Sequence, residues 1–225
     1  MDLFLVRHAQ STNNVLTDVR LRTKDPLLTE LGERQAERVA NHAARIIPLR
    51  DGVPTRIYCS PMWRALRTAN GIAQATGLTP EVWVEIHEHG GIYLDHGEET
   101  GVIGYPGMTR SEILAAFPGV VLPPEVTEQG WWTGGLEELS ACYERAARVI
   151  EALRERMSSD ERILMVSHGG FINSFLKLLF EQGSEWPIFY HHANTAITYV
   201  TFTSHGHLDV HYINRVDHLS PDMVS

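Results

Sequence analysis

Only two cysteines occur in the 225 residues, Cys59 and Cys142. They lie far apart and show neither C-x-x-C nor a Cys/His zinc spacing, so neither a disulfide framework nor a structural metal is suggested. No apolar run is long enough to cross a bilayer, and the stretch from Met1 to His8 is too short and wrongly flanked for a signal peptide. The expectation is a soluble, cytoplasmic protein. Positive charge is also scarce. Nineteen Lys and Arg against 28 Asp and Glu give a formal charge of −9, which argues against nucleic acid or an anionic membrane as the main partner. Two nucleophile and phosphate motifs are missing as well. No G-x-x-x-x-G-K-[ST] loop occurs, and Met165 stands where a G-x-S-x-G elbow around Ser167 needs its first glycine.

What positive charge there is lies early. Residues 1–70 hold 11 Lys and Arg against 7 Asp and Glu, so an anion would be met in that part of the chain. The 43% apolar content suffices for one good core and at most a small accessory lobe. Leu3 to Val6 reads as a buried strand ending at Arg7-His8. Thr29 can cap a helix with Val39, Ala43, Ile46 and Ile47 on one face, ended by Pro48. Arg56 to Cys59 reads as a strand, followed by Ser60 as N-cap, Pro61 at the first helical position and Gly77 as the stop. Val82 to Ile86 reads as a third strand. Residues 89–135 lose periodicity, apart from a capping box at Thr109 and Glu112.

Periodicity returns from Leu136 to Met157 as a long amphipathic helix. A strand at Ile163 to Val166 then feeds an apolar helix through His168-Gly169-Gly170. Ala196 to Thr203 and Leu208 to Ile213 form a closing hairpin. This alternation predicts an α/β fold, a mainly parallel sheet with helices on both faces, whose ligands bind outside the carboxyl ends of the strands.

Three strand-to-helix turns place Arg7-His8, Ser60 to Arg64 and His168-Gly169-Gly170 at that end. Helix starts there also offer amide N–H groups to an anion. Arginine bonds two phosphate oxygens at once and keeps its charge, so Arg7 and Arg64 suit a phosphoryl group. Arg67 is read as part of a solvated face. Arg20 and Arg22 are read either as a solvated loop or as a substrate lip. Among other histidines, His205, His207 and His211, or His191-His192, lack the carboxylate or cysteine spacing of a metal site. Cys59 to Arg64 is C-x4-R, one residue short of the loop of cysteine phosphatases, which disfavours a thiolate nucleophile. Trp131-Trp132 is read as packing.

Leu5-Val-Arg7-His8-Ala-Gln-Ser11 resembles the Arg-His-Gly signature of the histidine phosphatases, the phosphoglycerate mutase-like superfamily. Ala9 and Gln10 stand where that family usually has glycine and glutamate. The likeness continues, in order, through Asp25 to Gly32, Ser60-Pro-Met-Trp-Arg64-Ala-Leu-Arg-Thr68-Ala, Glu88, Val-Ser-His168-Gly-Gly170 and Asn194-Thr195. The resemblance implies a three-layer α/β/α sandwich, with residues 1–225 as a single domain and approximately 89–135 as an inserted cap. It implies that His8 attacks phosphorus, that Arg7, Arg64 and His168 hold the equatorial oxygens, and that Glu88 is the general acid and base. Glu85, expected to lie within a strand, is the rival acid. Asn14 matches a polar position at the site's edge, and Gly169 joins Arg20 and Arg22 among the substrate-binding candidates.

The expected activity is metal-independent hydrolysis of a small phosphate monoester, with no cofactor and a small phosphorylated metabolite as partner. A 2,3-bisphosphoglycerate-dependent phosphoglycerate mutase is the alternative. Mutases need cations for a second phosphate, whereas residues 89–135 hold one basic residue, Arg110, against Asp95, Glu98, Glu99, Glu112, Glu125 and Glu128. That count suggests a substrate with a neutral or polar remainder. A reading of another class is a non-catalytic phosphate-binding or protein-interaction module, which would lack one of Arg7, His8, Arg64 or His168. The sequence leaves a homodimer open.

Overall fold

In the computed structural model, which describes residues 1–50, 52, 54–185 and 187–225 without the side chains of 46 and 48–50, strand β1 (Asp2–Arg7) runs near the middle of the sheet. It pairs in parallel with β6 (Arg162–Ser167), register Arg7↔Ser167. β2 (Arg56–Cys59) lies parallel on the far side of β6, and β3 (Pro80–Val82) forms that edge. Beyond β1 come β7 (Ile197–Phe202) and β8 (Leu208–Arg215), both antiparallel, giving the order β3-β2-β6-β1-β7-β8. The mainly parallel sheet matches expectation.

Alternation along β1 sends side chains to opposite faces. Phe4 and Val6 join the core beneath α1 (Glu30–Arg50) and α2 (Trp63–Thr76). Leu3 and Leu5 join a second core beneath α4 (Leu139–Arg154) and α5 (Gly169–Leu179). Three layers result. The segment 89–135 contributes a two-stranded sheet of β4 (Tyr93–Asp95) and β5 (Val102–Gly104), and α3 (Arg110–Ala116) behind its Thr109/Glu112 capping box. Ile92, Ile113, Phe117 and Trp131 from this stretch are buried in the first core, and Trp132 packs against it.

Several boundaries differ from expectation. α1 begins behind Thr29, whose hydroxyl accepts the Gly32 N–H at 3.0 Å, but continues past Pro48 to Arg50. The expected placement of the Ile46 side chain lies outside the described residues. α2 starts at Trp63, not at Pro61, and Ser60 Oγ accepts the Met62 N–H at 3.3 Å just ahead of it. β3 stops at Val82, where its partner β2 also ends at Cys59, and Val84–Ile86 turns into a 3-10 helix. α4 is shorter than the Leu136 to Met157 pattern, and Leu136 and Leu139 are exposed.

Candidate active site

β1, β2 and β6 end side by side, so their following residues share one end of the sheet. There a cavity of about 280 Å³ is lined by Arg7, His8, Ser11, Asn13, Asn14, Arg22, Thr23, Lys24, Arg64, Glu88 and Tyr93, among others. His8 is buried. Its Nδ1 lies 2.7 Å from the Ala9 carbonyl, which can only accept, so Nδ1 carries the proton and Nε2 presents its lone pair. Arg64 Nε donates to that Nε2 at 3.2 Å. Burial, reinforced by Arg64 and Arg7, pulls the His8 pKa well below its ordinary value and keeps the ring neutral.

Arg7 extends from the end of β1, and its Nη1 donates to the His192 carbonyl at 2.6 Å. Its buried Nε has no hydrogen-bond partner. His168 follows β6, fully buried, with its ring centroid 5.0 Å from that of His8. Its Nε2 shares a 2.8 Å hydrogen bond with Ser60 Oγ, and its buried Nδ1 is unpartnered. Burial holds His168 neutral too, with Arg64 and His8 adding to the effect.

Arg64 is steadied by Asp25, 3.6 Å from its Nη1. Both Asp25 oxygens accept the Trp63 N–H at 3.1 Å. Burial nevertheless raises the Asp25 carboxyl to about 6, against the pull of Arg64. Glu88 sits across the cavity at the start of α5. Its carboxylate accepts the N–H groups of Phe171 at 2.9 Å, Gly170 at 3.3 Å and His89 at 2.9 Å.

At the helix starts, Glu88 takes the Gly170 and Phe171 amides of α5 and Asp25 takes that of Trp63 in α2.

The remaining candidates divide. Asn14 lines the cavity, and its Oδ1 accepts from Ser11 N at 2.9 Å and Ser11 Oγ at 3.0 Å, leaving its amide donors for a ligand. Arg22 lines the cavity, but Arg20 does not. Arg20 grips Asp18 through Nε and Nη2 and faces a neighbouring depression. Gly169 is outside the lining as well. A Cβ there would lie 3.5 Å from Arg7 Nε. Glu85 is in the 3-10 helix, not a strand, and pairs with Arg148 at 2.6 Å. Arg67 pairs with Glu33 at 2.6 Å.

Burial pushes the Cys59 thiol up to about 12, which removes a thiolate rival. His211 is spent in stacking on Tyr199, centroids 4.0 Å apart, and His192 Nε2 faces Thr198 Oγ1 at 2.6 Å. Among the described residues, no group of three or more His, Cys, Asp or Glu is placed to hold a metal ion, and no helix is long and apolar enough to cross a membrane.

Lys24, Thr23, Ser11, Asn13 and Tyr93 also line the cavity without having been site candidates in the sequence. The early excess of basic residues was the signal for Lys24. The cap is acidic, but Arg22 and Lys24 of the preceding loop supply two cations.

A family profile described as the histidine phosphatase superfamily (branch 1) matches residues 3–215. One curated relative, PE-PGRS family protein PE_PGRS11 of Mycobacterium tuberculosis, is 33% identical over 91 residues, which is 40% of this chain and 15% of that protein. Solved structures share the fold. A phosphoserine phosphatase of Entamoeba histolytica in complex with 3-phosphoglyceric acid superposes with a TM-score of 0.63 at 23% identity, over 97% of this chain and 99% of that one. A mycobacterial glucosyl-3-phosphoglycerate phosphatase in complex with VO3 gives 0.60 at 23% identity, over 96% and 99%. YhfR of Bacillus stearothermophilus gives 0.62 at 21% identity, over 96% and 98%.

Proposed function

Starting from the fact that this chain belongs to branch 1 of the histidine phosphatase superfamily, we propose that it hydrolyses a small phosphate monoester through a phosphohistidine on His8. The observation that carries this is a pair of buried polar atoms without partners, Arg7 Nε and His168 Nδ1, next to a neutral imidazole. Buried polar atoms are rarely left unpaired, and phosphoryl oxygens are acceptors that Arg7 Nε requires. Arg64 adds a second guanidinium.

The geometry supports the following steps. Bound phosphate draws the Arg64 donors onto its oxygens and releases the lone pair on His8 Nε2. Nε2 forms a bond to phosphorus as the ester P–O bond breaks, and Glu88 gives its proton to the departing alkoxide. Glu88 then takes a proton from water, whose oxygen displaces Nε2 and regenerates the enzyme. Arg7 and Arg64 stabilise charge on the transferring group, the role a metal fills in other phosphoryl transfers.

Arg22 and Lys24 favour a remainder that is itself anionic, a carboxylate-bearing monoester of the size of phosphoserine or phosphoglycerate, in place of the neutral remainder expected from the cap alone. The same two cations could serve the second phosphate of a mutase. Production of 2-phosphoglycerate from 3-phosphoglycerate that depends on 2,3-bisphosphoglycerate distinguishes that reading.

The direct test is hydrolysis of p-nitrophenyl phosphate in excess chelator, with trapping of the phosphoenzyme. Activity and an acid-labile phosphoenzyme in the parent protein, both lost in His8→Ala, are expected. Turnover by His8→Ala at the parent rate would remove the mechanism, and binding of phosphate without turnover would favour the non-catalytic module.

A further inference from the structure

We propose that Arg145 and Glu137 are positioning residues for Glu88, gripping the backbone on both sides of it. The proposal rests on the reading of Glu88 as the general acid and base. Arg145 lies on the buried face of α4, at 4% exposure, beside Cys142, Ala146 and Val149. Its guanidinium is fully used. Nε and Nη2 form a two-pronged pair with Glu137 at 2.9 and 2.7 Å. Nη1 donates to the carbonyls of Glu85 and of His87, the latter at 3.0 Å. Glu137 completes the grip from its own backbone, its N–H donating to the Gly90 carbonyl at 3.1 Å. Thus residues before and after Glu88 are tied to one buried ion pair.

Two further contacts tighten the arrangement. The Arg145 guanidinium lies 4.9 Å from the ring centre of Phe171, the residue whose N–H holds Glu88 Oε1. The His87 ring packs near Trp131 and Trp132, with centroids 5.3 and 4.7 Å away, so the segment is also held from the side of residues 89–135. A buried ion pair is often no more stabilising than apolar side chains of the same volume. Apolar side chains could not donate to the carbonyls at 85 and 87. What the pair adds is a fixed path for the chain into Glu88, and a misplacement of about 1 Å in a reacting group can cost on the order of a hundredfold in rate.

The test uses leaving groups. p-Nitrophenoxide departs without a proton, whereas an alkoxide needs one, so loss of general acid catalysis appears as a selective fall in kcat/KM for an alkyl phosphate over p-nitrophenyl phosphate. Glu88→Gln serves as the reference and is expected to show a selective loss of about a hundredfold or more. Arg145→Lys keeps a charge beside Glu137 but cannot span both carbonyls. Glu137→Met/Arg145→Met removes both charges together, so no unpaired charge is left buried while the bonds to the carbonyls at 85 and 87 are lost.

Both variants are expected to reproduce the selective loss in kcat/KM by about tenfold or more, with kcat/KM for p-nitrophenyl phosphate, which ends at the phosphoenzyme, largely retained. Equal losses on both substrates, or none, with Glu88→Gln still selective, would overturn the positioning role. An unselective Glu88→Gln would instead sink the acid-base reading on which it rests.

Discussion

A methyl group on Gly170 would lie 2.7 Å from Glu88 Oε1 and 3.4 Å from the His89 Cβ. Alanine suits a helix better than glycine, so Gly170→Ala is expected to leave melting nearly unchanged while displacing the carboxylate. The expected outcome is a fall of about tenfold or more in kcat/KM for an alkyl phosphate. Unchanged kinetics would mean that Glu88 need not sit where α5 holds it. Gly170 was visible in the sequence only as part of a motif, whereas its reason is this close approach. The same contrast holds across the site. His8, Arg7 and Arg64 stood out at strand-to-helix turns, whereas Glu88 and the role of each came from the resemblance to the histidine phosphatases. Asp25, which steadies Arg64, stood within a motif, yet its burial and its bond to Trp63 N depend on a fold that brings loop and helix together. Arg145 was invisible. It occupies the apolar face of α4, and its partners are backbone carbonyls some sixty residues away in sequence, which leave no pattern to read.

Element boundaries were set by partners that local propensity does not register. Ser60-Pro61 has the chemistry of a helix start, yet Ser60 Oγ bonds His168 Nε2 and α2 begins at Trp63. Val82 to Ile86 has the composition of a strand, but β3 ends at Val82, where its neighbour β2 also ends. α1 shows the same dependence in a testable form. Gln35 Oε1 accepts the Gln10 N–H at 2.8 Å, and its Nε2 donates to the Met223 carbonyl at 2.7 Å and to Ser225 Oγ at 3.0 Å. One fully buried side chain thereby joins the turn after His8, the helix and the last residues of the chain. Gln35→Met keeps the volume and leaves the Gln10 amide and Met223 carbonyl without partners. Each unsatisfied group costs about 1–3 kcal/mol, so a destabilisation of about 2–6 kcal/mol is expected by urea titration, and a change within about 0.5 kcal/mol would show that water or movement of the chain replaces the bonds.

Across the whole molecule, one residue type is buried neutral at several points of the same end of the sheet and beside it. Burial lowers His87 and His218 to about 3 and His192 to about 4, and His8 and His168 also fall well below their ordinary value. In the unfolded chain each titrates near 6.5. Below that pH the unfolded state binds protons that the native state refuses, so stability is full above about pH 6.5 and declines as pH falls toward the folded values. Each histidine that stays neutral contributes up to about 1.4 kcal/mol per pH unit to that decline. Asp25 works in the opposite sense. Its carboxyl is raised to about 6, so the native state binds that proton more tightly and gains stability between roughly pH 6 and 4. Five histidines outweigh one aspartate, and melting temperature is expected to drop on going from pH 7.5 to 5.0, by about 2–4 °C for each kcal/mol lost. Asp25→Asn removes the opposing contribution, so its melting temperature should fall more steeply over the same interval. A melting temperature independent of pH would mean that the histidines titrate in the native protein, and a rise on acidification would mean that Asp25 dominates.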